Sequence, residues 1–396
     1  VGGGPAGMVL GLLLARGGID VIVLEKHADF FRDFRGDTIH PSTFEIMNEL
    51  GLLEEFLKVP HQEITELSGK WNNIPVKIAN FKHLKAAKPA IGLMPQWDFL
   101  KFVLEHASVY PSFRMIMNAN VTDIIIENDR VTGIKAETEN EVLNIYADLV
   151  VGADGRHSTT RKKAGLKVIE SGVPIDVLWF RLSRHADDPG QILGHFYHGK
   201  IMIMLDRNTY WQCGCVIKKG GYPEIQQKGL AAFRDYLQQI VPFIGGRLHE
   251  LKSWDDIKLL TVDIDHLEKW YKDGFLCIGD AAHAMSPVGG VGINLAIQDA
   301  VATANILYKP LLEKRQITTD ILQLVQKRRT YPTRITQQLQ VKIHNGIFMR
   351  EKSGAHYKNP PLLMRLLTWL PLLRRIPARL IGMGFRPEHV KIPELR

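Results

Sequence analysis

The sequence predicts an α/β fold in which a Rossmann-like nucleotide-binding domain is assembled from discontinuous segments, with an inserted mixed β-sheet domain and a helical C-terminus. Three observations carry this. The chain opens VGGGPAGMVLGLLLARGGIDVIVLEK, where Gly2, Gly4 and Gly7 form G-x-G-x-x-G ahead of an apolar helix from Pro5 to about Ala15. A β-branched strand from Val21 to Leu24 follows and ends on an acid, Glu25. Residues 173 to 217 then read almost wholly as strands, and after Trp270 the chain returns to strand, glycine turn and helix, so the α/β signal encloses the β-rich middle.

Composition supports a folded, soluble-type chain and excludes several classes. The 396 residues are 45% hydrophobic and 23% charged, enough to fill a large core and too apolar for disorder. Its 34 Gly and 20 Pro follow no period, which excludes collagen-like sequence. Three cysteines supply neither a disulfide framework nor a zinc spacing, so a reducing, cytoplasmic location is expected. No apolar run approaches the roughly 20 residues of a membrane span. The run from Met8 to Ala15 lacks the basic flank and cleavage site of a secretory signal. Net charge is 50 − 42 = +8 and is uneven, because residues 313 to 396 hold 17 Lys or Arg against 5 Asp or Glu. A solvated basic helical face is the first reading of that asymmetry and an anionic partner the second.

Each element follows in order. A strand before Gly2 needs about five residues; only Val1 precedes it, so native residues are expected upstream. Residues 42 to 59 read as helix, with Met47, Leu50, Leu52 and Phe56 on one face, and a second amphipathic helix covers about 97 to 107. Strands are expected over about 121 to 127, 131 to 137, 142 to 146 and 149 to 151. The strings PIDVLWFRLS, GHFYHG, KIMIMLD and YWQCGCVIKKG form the separate sheet. A strand at about 274 to 278 leads through a glycine turn to a helix over about 293 to 308. The remainder is helical, punctuated by Pro310, Pro332, Pro360, Pro361, Pro371 and Pro377. The expected division assigns 1–75, 96–170 and 266–310 to the nucleotide-binding domain, 76–95 and 171–265 to the inserted domain, and 311–396 to the helical region.

Three motifs carry chemistry. In the first, glycines allow a tight turn and close approach of a pyrophosphate to a helix N-terminus, while Glu25 suits a ribose diol. The second is DLVVGADGRHSTTR, residues 148 to 161, with Asp154 after a buried strand. The third is FLCIGDAAHAMSPVGGVGINLAIQDA, residues 275 to 300, where Asp280 ends a strand and Gly289, Gly290 and Gly292 precede a helix whose N-terminus favours an anion.

These motifs, in this order and spacing, resemble the class A flavoprotein monooxygenases of the p-hydroxybenzoate hydroxylase fold, over about residues 1 to 310. The resemblance implies an FAD-binding domain with an inserted substrate domain. It implies an FAD-dependent, NAD(P)H-consuming monooxygenase that hydroxylates a small or medium apolar substrate, aromatic or polyketide-like, through a flavin C4a-hydroperoxide. Gly2, Gly4, Pro5, Ala6, Gly7, Glu25 and Lys26 would bind the ADP half of FAD, and Arg35 the cofactor after the second strand. Asp154 and Val121 would lie by FAD, Gly279 and Asp280 by the ribityl chain, and Pro287, Gly290, Gly292, Ile293 and Asn294 against the isoalloxazine ring. Gln96 stands where many relatives have Arg, so it offers a hydrogen bond without charge. No residue is assigned as catalytic, because the reaction asks for alignment and a dry pocket more than for an acid or base.

Other residues admit two readings. His283 reads as structural. His40 or Thr38 would face the reacting centre if the segment from Gly36 to Thr43 runs under the flavin. Trp179 and Arg181 share a strand face with Ile175 and Val177, a pattern of a pocket for a flat substrate or of a core with one extended Arg. His195, His198, Met202 and Met204 lack a third ligand, and no metal is expected. The leucine stripe 362, 363, 366, 367, 370 and 373, with Arg365, Arg374, Arg375 and Arg379, is expected to dock on the chain itself. Peripheral membrane contact is the alternative. Alternative functions are a flavin-dependent reductase of isoprenoid double bonds or a non-catalytic FAD-binding redox sensor. A halogenase is disfavoured by the lack of W-x-W-x-I-P. Neither a nucleic-acid partner nor an oligomeric state follows from the sequence.

Overall fold

The computed structural model describes residues 1–31, 38–189, 194–352 and 359–395, with side chains described outside 347–352. Helix α1 (Pro5–Arg16) carries Pro at its first turn, and its apolar run lets it bury nearly its whole length. Strand β1 (Val21–Leu24), the short β2 (Thr38–Ile39) and α2 (Pro41–Glu49) follow. The next elements are β3 (Glu66–Trp71), β4 (Ile74–Asn80), α3 (Gln96–Ala107), β5 (Phe113–Ile116) and β6 (Val150–Gly152).

β1 pairs in parallel with β5, and Val1 and Gly2 continue the layer. The Gly2 N–H donates to the Leu24 carbonyl at 2.8 Å, and the Ala153 N–H donates to the Val1 carbonyl at 2.7 Å. Parallel order therefore runs from β5 through β1 and the chain start to β6. These β-branched strands are covered by α1 and α3, and the shared core includes Val9, Leu13, Val23, Phe99 and Val103.

The inserted sheet is built from β3 and β4 with β7 (Ile175–Ser183), β8 (Gly194–Tyr197), β9 (Lys200–Asp206), β10 (Tyr210–Lys218) and, beyond helix α4 (Leu230–Ile240), β11 (Lys258–Thr261). Strand order is β11-β7-β10-β9-β8-β3-β4. Side chains alternate: Leu178, Phe180 and Leu182 of β7 join Met204, Cys213 and Cys215 against α4, while Ile175, Val177 and Trp179 face the other way. Burial pushes the Cys215 thiol up to about 12, so these cysteines act as apolar filler. The ends of β7 and β10 are fastened by Asp188, which accepts two Arg247 hydrogen bonds at 2.6 and 2.7 Å and the Trp211 indole N–H at 2.6 Å. Burial opposes ionisation there, yet these bonds hold the Asp188 carboxyl well below the usual range.

Strand β12 (Phe275–Cys277) pairs in parallel with β6 and returns the chain to the first sheet. Helices α5 (Gly292–Leu312), α6 (Thr319–Lys352), α7 (Leu362–Trp369) and α8 (Arg375–Gly382) complete the fold.

Three expectations need adjustment. The helix foreseen over 42 to 59 is two pieces, α2 and a turn at Leu53–Phe56, separated by Gly51 at φ +74°. Pro310 and Pro332 lie inside α5 and α6 instead of ending them. Near the latter, Thr336 Oγ1 donates to the carbonyl of Pro332 at 2.8 Å. β3 pairs within the inserted sheet although the expected boundary fell after it, at residue 76. The sequence ELSGKW gives little apolar alternation to announce a strand.

The C-terminal helices dock on the chain's own β4. Arg374 is buried beneath them, donating to the Leu367 and Thr368 carbonyls at 2.7 and 2.6 Å and to Glu66 at 3.2 Å. Among the described residues no helix is long and apolar enough to cross a membrane.

Candidate cofactor site

The glycine turn sits at the carboxyl end of the parallel strands, where such folds bind dinucleotides. Gly2 holds φ +102°, and a Cβ on Gly7 would meet the Gly2 carbonyl oxygen at 2.0 Å, so this turn requires glycine at both positions. Among the described residues a Cβ on Gly4 meets nothing within 4 Å. No side chain caps the start of α1, which leaves its first N–H groups available to a phosphate. Glu25 closes the turn by accepting the Gly3 N–H at 2.9 Å on Oε2. Lys26 beside it is exposed.

Asp154 is held internally. Its carboxylate accepts Ser158 Oγ at 2.5 Å and the Thr160 N–H and hydroxyl at 3.0 and 2.9 Å, so its work is to shape the 152–160 turn. Any contact it makes with a cofactor would be through the lone pairs left over. Val121 packs its side chain in the core, leaving only main chain to offer. Gln96 is the first residue of α3 and half-buried. Arg35 lies outside the described residues.

The third motif forms a second polar end. Gly279 (φ +58°) turns the chain after β12, and Asp280 follows, partly exposed and paired with Arg156 Nε at 3.2 Å. Arg156 also donates to the Met285 carbonyl at 2.9 Å and so ties the second motif to the third. Beyond Pro287, Gly290 (φ +62°) approaches so closely that Thr38 Oγ1 donates to its carbonyl at 2.9 Å. Gly292 and Ile293 begin α5, again without a side-chain cap. Asn294 is buried and fully used: Oδ1 accepts the His40 N–H and the Thr43 hydroxyl, both at 2.8 Å, and Nδ2 donates to the Thr38 and Gly290 carbonyls. It welds β2 to the glycine loop.

Two uncapped helix starts, an open-faced Gly4, an acid beside the first turn and another beside the second fit the pyrophosphate, ribose and ribityl groups of a flavin dinucleotide. The family comparison decides the matter: a model described as FAD binding domain matches residues 1–338. The chain belongs to this FAD-binding family.

Among the proteins it resembles are several monooxygenases. The 6-methylpretetramide 4-monooxygenase of Streptomyces rimosus is 30% identical over 382 residues, 95% of this chain and 90% of that protein. A rifampicin monooxygenase of Rhodococcus hoagii is 27% identical over 316 residues, 76% of this chain and 61% of that one. In fold, the chain matches the Streptomyces rimosus anhydrotetracycline hydroxylase with a TM-score of 0.75 at 18% identity, covering 96% of this chain and 74% of that one. A probable FAD-dependent monooxygenase from Pseudomonas aeruginosa gives 0.74 at 20% identity, with coverage of 90% and 98%. The protein is an FAD-dependent monooxygenase.

Within this family member several residues that support the site lie far away in sequence. Asp299 of α5 accepts the Gly279 N–H at 3.0 Å, His283 Nε2 at 2.6 Å and Arg329 Nε at 2.8 Å, all buried. His283 is thus structural. From α6, Gln340 donates to the Ser286 and Val288 carbonyls at 2.9 Å, and His344 meets Ser286 Oγ at 2.8 Å. His40 is buried, with Nδ1 2.7 Å from the Ile381 carbonyl, and burial lowers its pKa to about 4, so it stays neutral at physiological pH. Nothing in local spacing announces these contacts. Trp179 lies buried on the inserted sheet, and Arg181 is exposed with its guanidinium 5.0 Å over the Tyr210 ring.

Proposed function

We propose that the substrate is a planar, fused-ring aromatic of polyketide type, bound on the face of the inserted sheet that carries Trp179. One row across the sheet carries the reading: Trp179, Gly214, Ile203, Gly194 and Gly69 stand in register. A Cβ on Gly214 would lie 3.0 Å from the Trp179 ring, and one on Gly194 3.0 Å from the Phe196 ring. The rings therefore pack closely against bare backbone at Gly214 and Gly194, and Trp71 stacks on Phe196 with centroids 5.5 Å apart. Such a floor accepts a flat molecule and resists a bulky one. Trp179 Nε1 is buried with no hydrogen-bond partner, a donor suited to a ring oxygen of the substrate. The relatives named for 6-methylpretetramide, rifampicin and anhydrotetracycline support this class.

Bound FAD, reduced by NAD(P)H, supplies the oxygen-transfer chemistry. The chain's own residues hold it by the glycine turn and Asp280, keep the 287–294 loop rigid through Asn294 and Gln340, and shield the reacting space from water. Under this reading the divided segments of the sequence serve FAD, and the inserted sheet serves substrate. Trp179→Phe keeps an aromatic side chain but loses the indole N–H and its five-membered ring, so kcat/KM for a phenolic naphthacene should fall about tenfold while FAD content is unchanged. Steady-state NAD(P)H oxidation measures this, and an unaltered kcat/KM would remove Trp179 from the substrate site.

A second reading concerns location in the cytoplasm. Leu362, Leu363, Trp369, Leu370, Leu372 and Ile376 are each at least half exposed on α7, α8 and their connection, a stretch with Arg365, Arg375 and Arg379 and no acid. This arginine-framed apolar patch suits peripheral contact with an anionic bilayer. The intact chain should co-sediment with phosphatidylglycerol vesicles and release when Leu362, Leu363 and Leu372 are changed to Ser; equal sedimentation of both proteins excludes the contact.

A further inference from the structure

We propose, on the reading that residues 287–294 lie against the flavin ring, that an apolar chamber beside the 288–291 loop holds dioxygen where the flavin consumes it. The chamber measures about 120 Å³ and lies between the start of α5, the middle of α6 and the end of α8. Val288 and Val291 of the loop form part of its wall, and Leu295, Leu339, Ile343 and Phe385 continue that wall in hydrocarbon. Pockets for drug-sized ligands run from about 300 to 1,000 Å³, so the chamber is too small for a fused-ring substrate. It has the size at which apolar cavities stay dry and take up one small apolar molecule.

Polar residues also line the chamber, but their hydrogen-bonding atoms are committed elsewhere or sealed from it. Asn294 spends both ends of its amide on His40, Thr43, Thr38 and Gly290. Gln340 accepts the Ser286 N–H at 3.1 Å and donates to the Ser286 and Val288 carbonyls, each at 2.9 Å. Thr336 Oγ1 is turned back to the Pro332 carbonyl at 2.8 Å. His40 Nε2, Gln298 Nε2 and Arg329 Nη2 have no accessible surface, so they offer a guest nothing. A cavity water needs several polar partners, and this wall supplies few. An apolar guest loses no hydrogen bond on entering and leaves water behind, which favours it over water here. Dioxygen is the one small apolar reactant of a monooxygenase. Among the described residues Leu339 and Ile343 are 40% and 37% exposed, so the hydrocarbon wall reaches the surface and gives a gas its entry.

Xenon, an apolar atom that forms no hydrogen bond, is the structural probe. A crystal of the FAD-loaded full chain under xenon pressure should show xenon in the chamber. Leu339→Trp and Met383→Trp, which fill it from α6 and from the segment after α8, should each remove that xenon. Kinetics on the same proteins read the function. When the chain is reduced with dithionite and mixed with O2 in the absence of substrate, reduced FAD and O2 give oxidised FAD and hydrogen peroxide. The second-order rate constant of that step should fall at least about fivefold in both filled variants, with FAD content unchanged. Leu339→Ala, which enlarges the chamber, should keep both the xenon and the parent rate. A chamber empty of xenon overturns the proposal. So does an unchanged rate constant in both filled variants, a result that leaves the flavin-binding reading standing because FAD is still bound. Failure of the parent chain to take up FAD at all would refute that reading and the proposal with it.

Discussion

Gly4→Ala should leave the melting temperature of the cofactor-free chain essentially unchanged and weaken FAD binding at least tenfold, whereas Gly7→Ala should damage both. The two glycines sit three residues apart in one turn, and the difference arises from what their absent side chains would meet. At Gly7 a Cβ falls 2.0 Å from the Gly2 carbonyl, a clash within the protein that forces the turn open. At Gly4 a Cβ meets no atom of the described residues within 4 Å, and backbone φ is −77°, which alanine adopts freely. Among the described residues it obstructs nothing, which leaves a ligand approaching the helix start as the group it would meet. Flavin fluorescence titration and thermal unfolding of the two variants measure the pair. Equal FAD affinity in Gly4→Ala and the parent chain would remove the pyrophosphate from this turn.

The second large effect is expected at Asp299. Replacing it with Asn preserves shape and removes the charge that faces Arg329 and His283, and it weakens the acceptor of the Gly279 N–H. Breaking a buried pair by removing one partner costs about 3–5 kcal/mol. The variant should therefore unfold at markedly lower urea concentration and release FAD more readily, since the turn before Asp280 loosens. The pH dependence has a defined sign. Burial raises the Asp299 pKa, but His283 and Arg329 more than reverse this and leave it below the normal carboxylate value. Its contribution is then present above about pH 4, the unfolded value, and is lost as pH falls through the folded one. The parent should lose stability over that acid range with a steeper slope than Asp299→Asn. Parallel slopes would show that Asp299 is not the titrating group.

Elements with strong local signals were legible in the sequence. The first βαβ unit, α3, the four strands β7 to β10 of the inserted sheet and the third glycine turn follow from periodicity and turn chemistry that act within a few residues. The glycine turn ahead of α1 was legible for the same reason, because its tight geometry needs glycine at Gly2 and Gly7. Asp154 shows the limit: its motif was evident, but its three internal hydrogen bonds to Ser158 and Thr160 depend on the turn's geometry. The strand β3 was missed although its hairpin partner β4 is adjacent, because ELSGKW carries little apolar alternation; its other partner, β8, lies more than a hundred residues away. Gln340 and His344, which bond residues 286 and 288, and Arg329, which braces Asp299, were invisible as site supports, since they arrive only when α6 packs against α5. Arg181 was weighed with Trp179 on the strength of alternation alone; the strand edge leaves it exposed, whereas Trp179 is covered.

The measurement that bears most directly on the central claim is isotope tracing during turnover. The chain is loaded with FAD and supplied with NAD(P)H, a fused-ring phenolic substrate and heavy-isotope dioxygen, and the product is weighed by mass spectrometry. The structure predicts one heavy oxygen per product molecule, with NAD(P)H oxidation accelerated by the substrate. A product whose new oxygen comes from water, or NAD(P)H oxidation indifferent to every fused-ring phenol offered, would contradict the account.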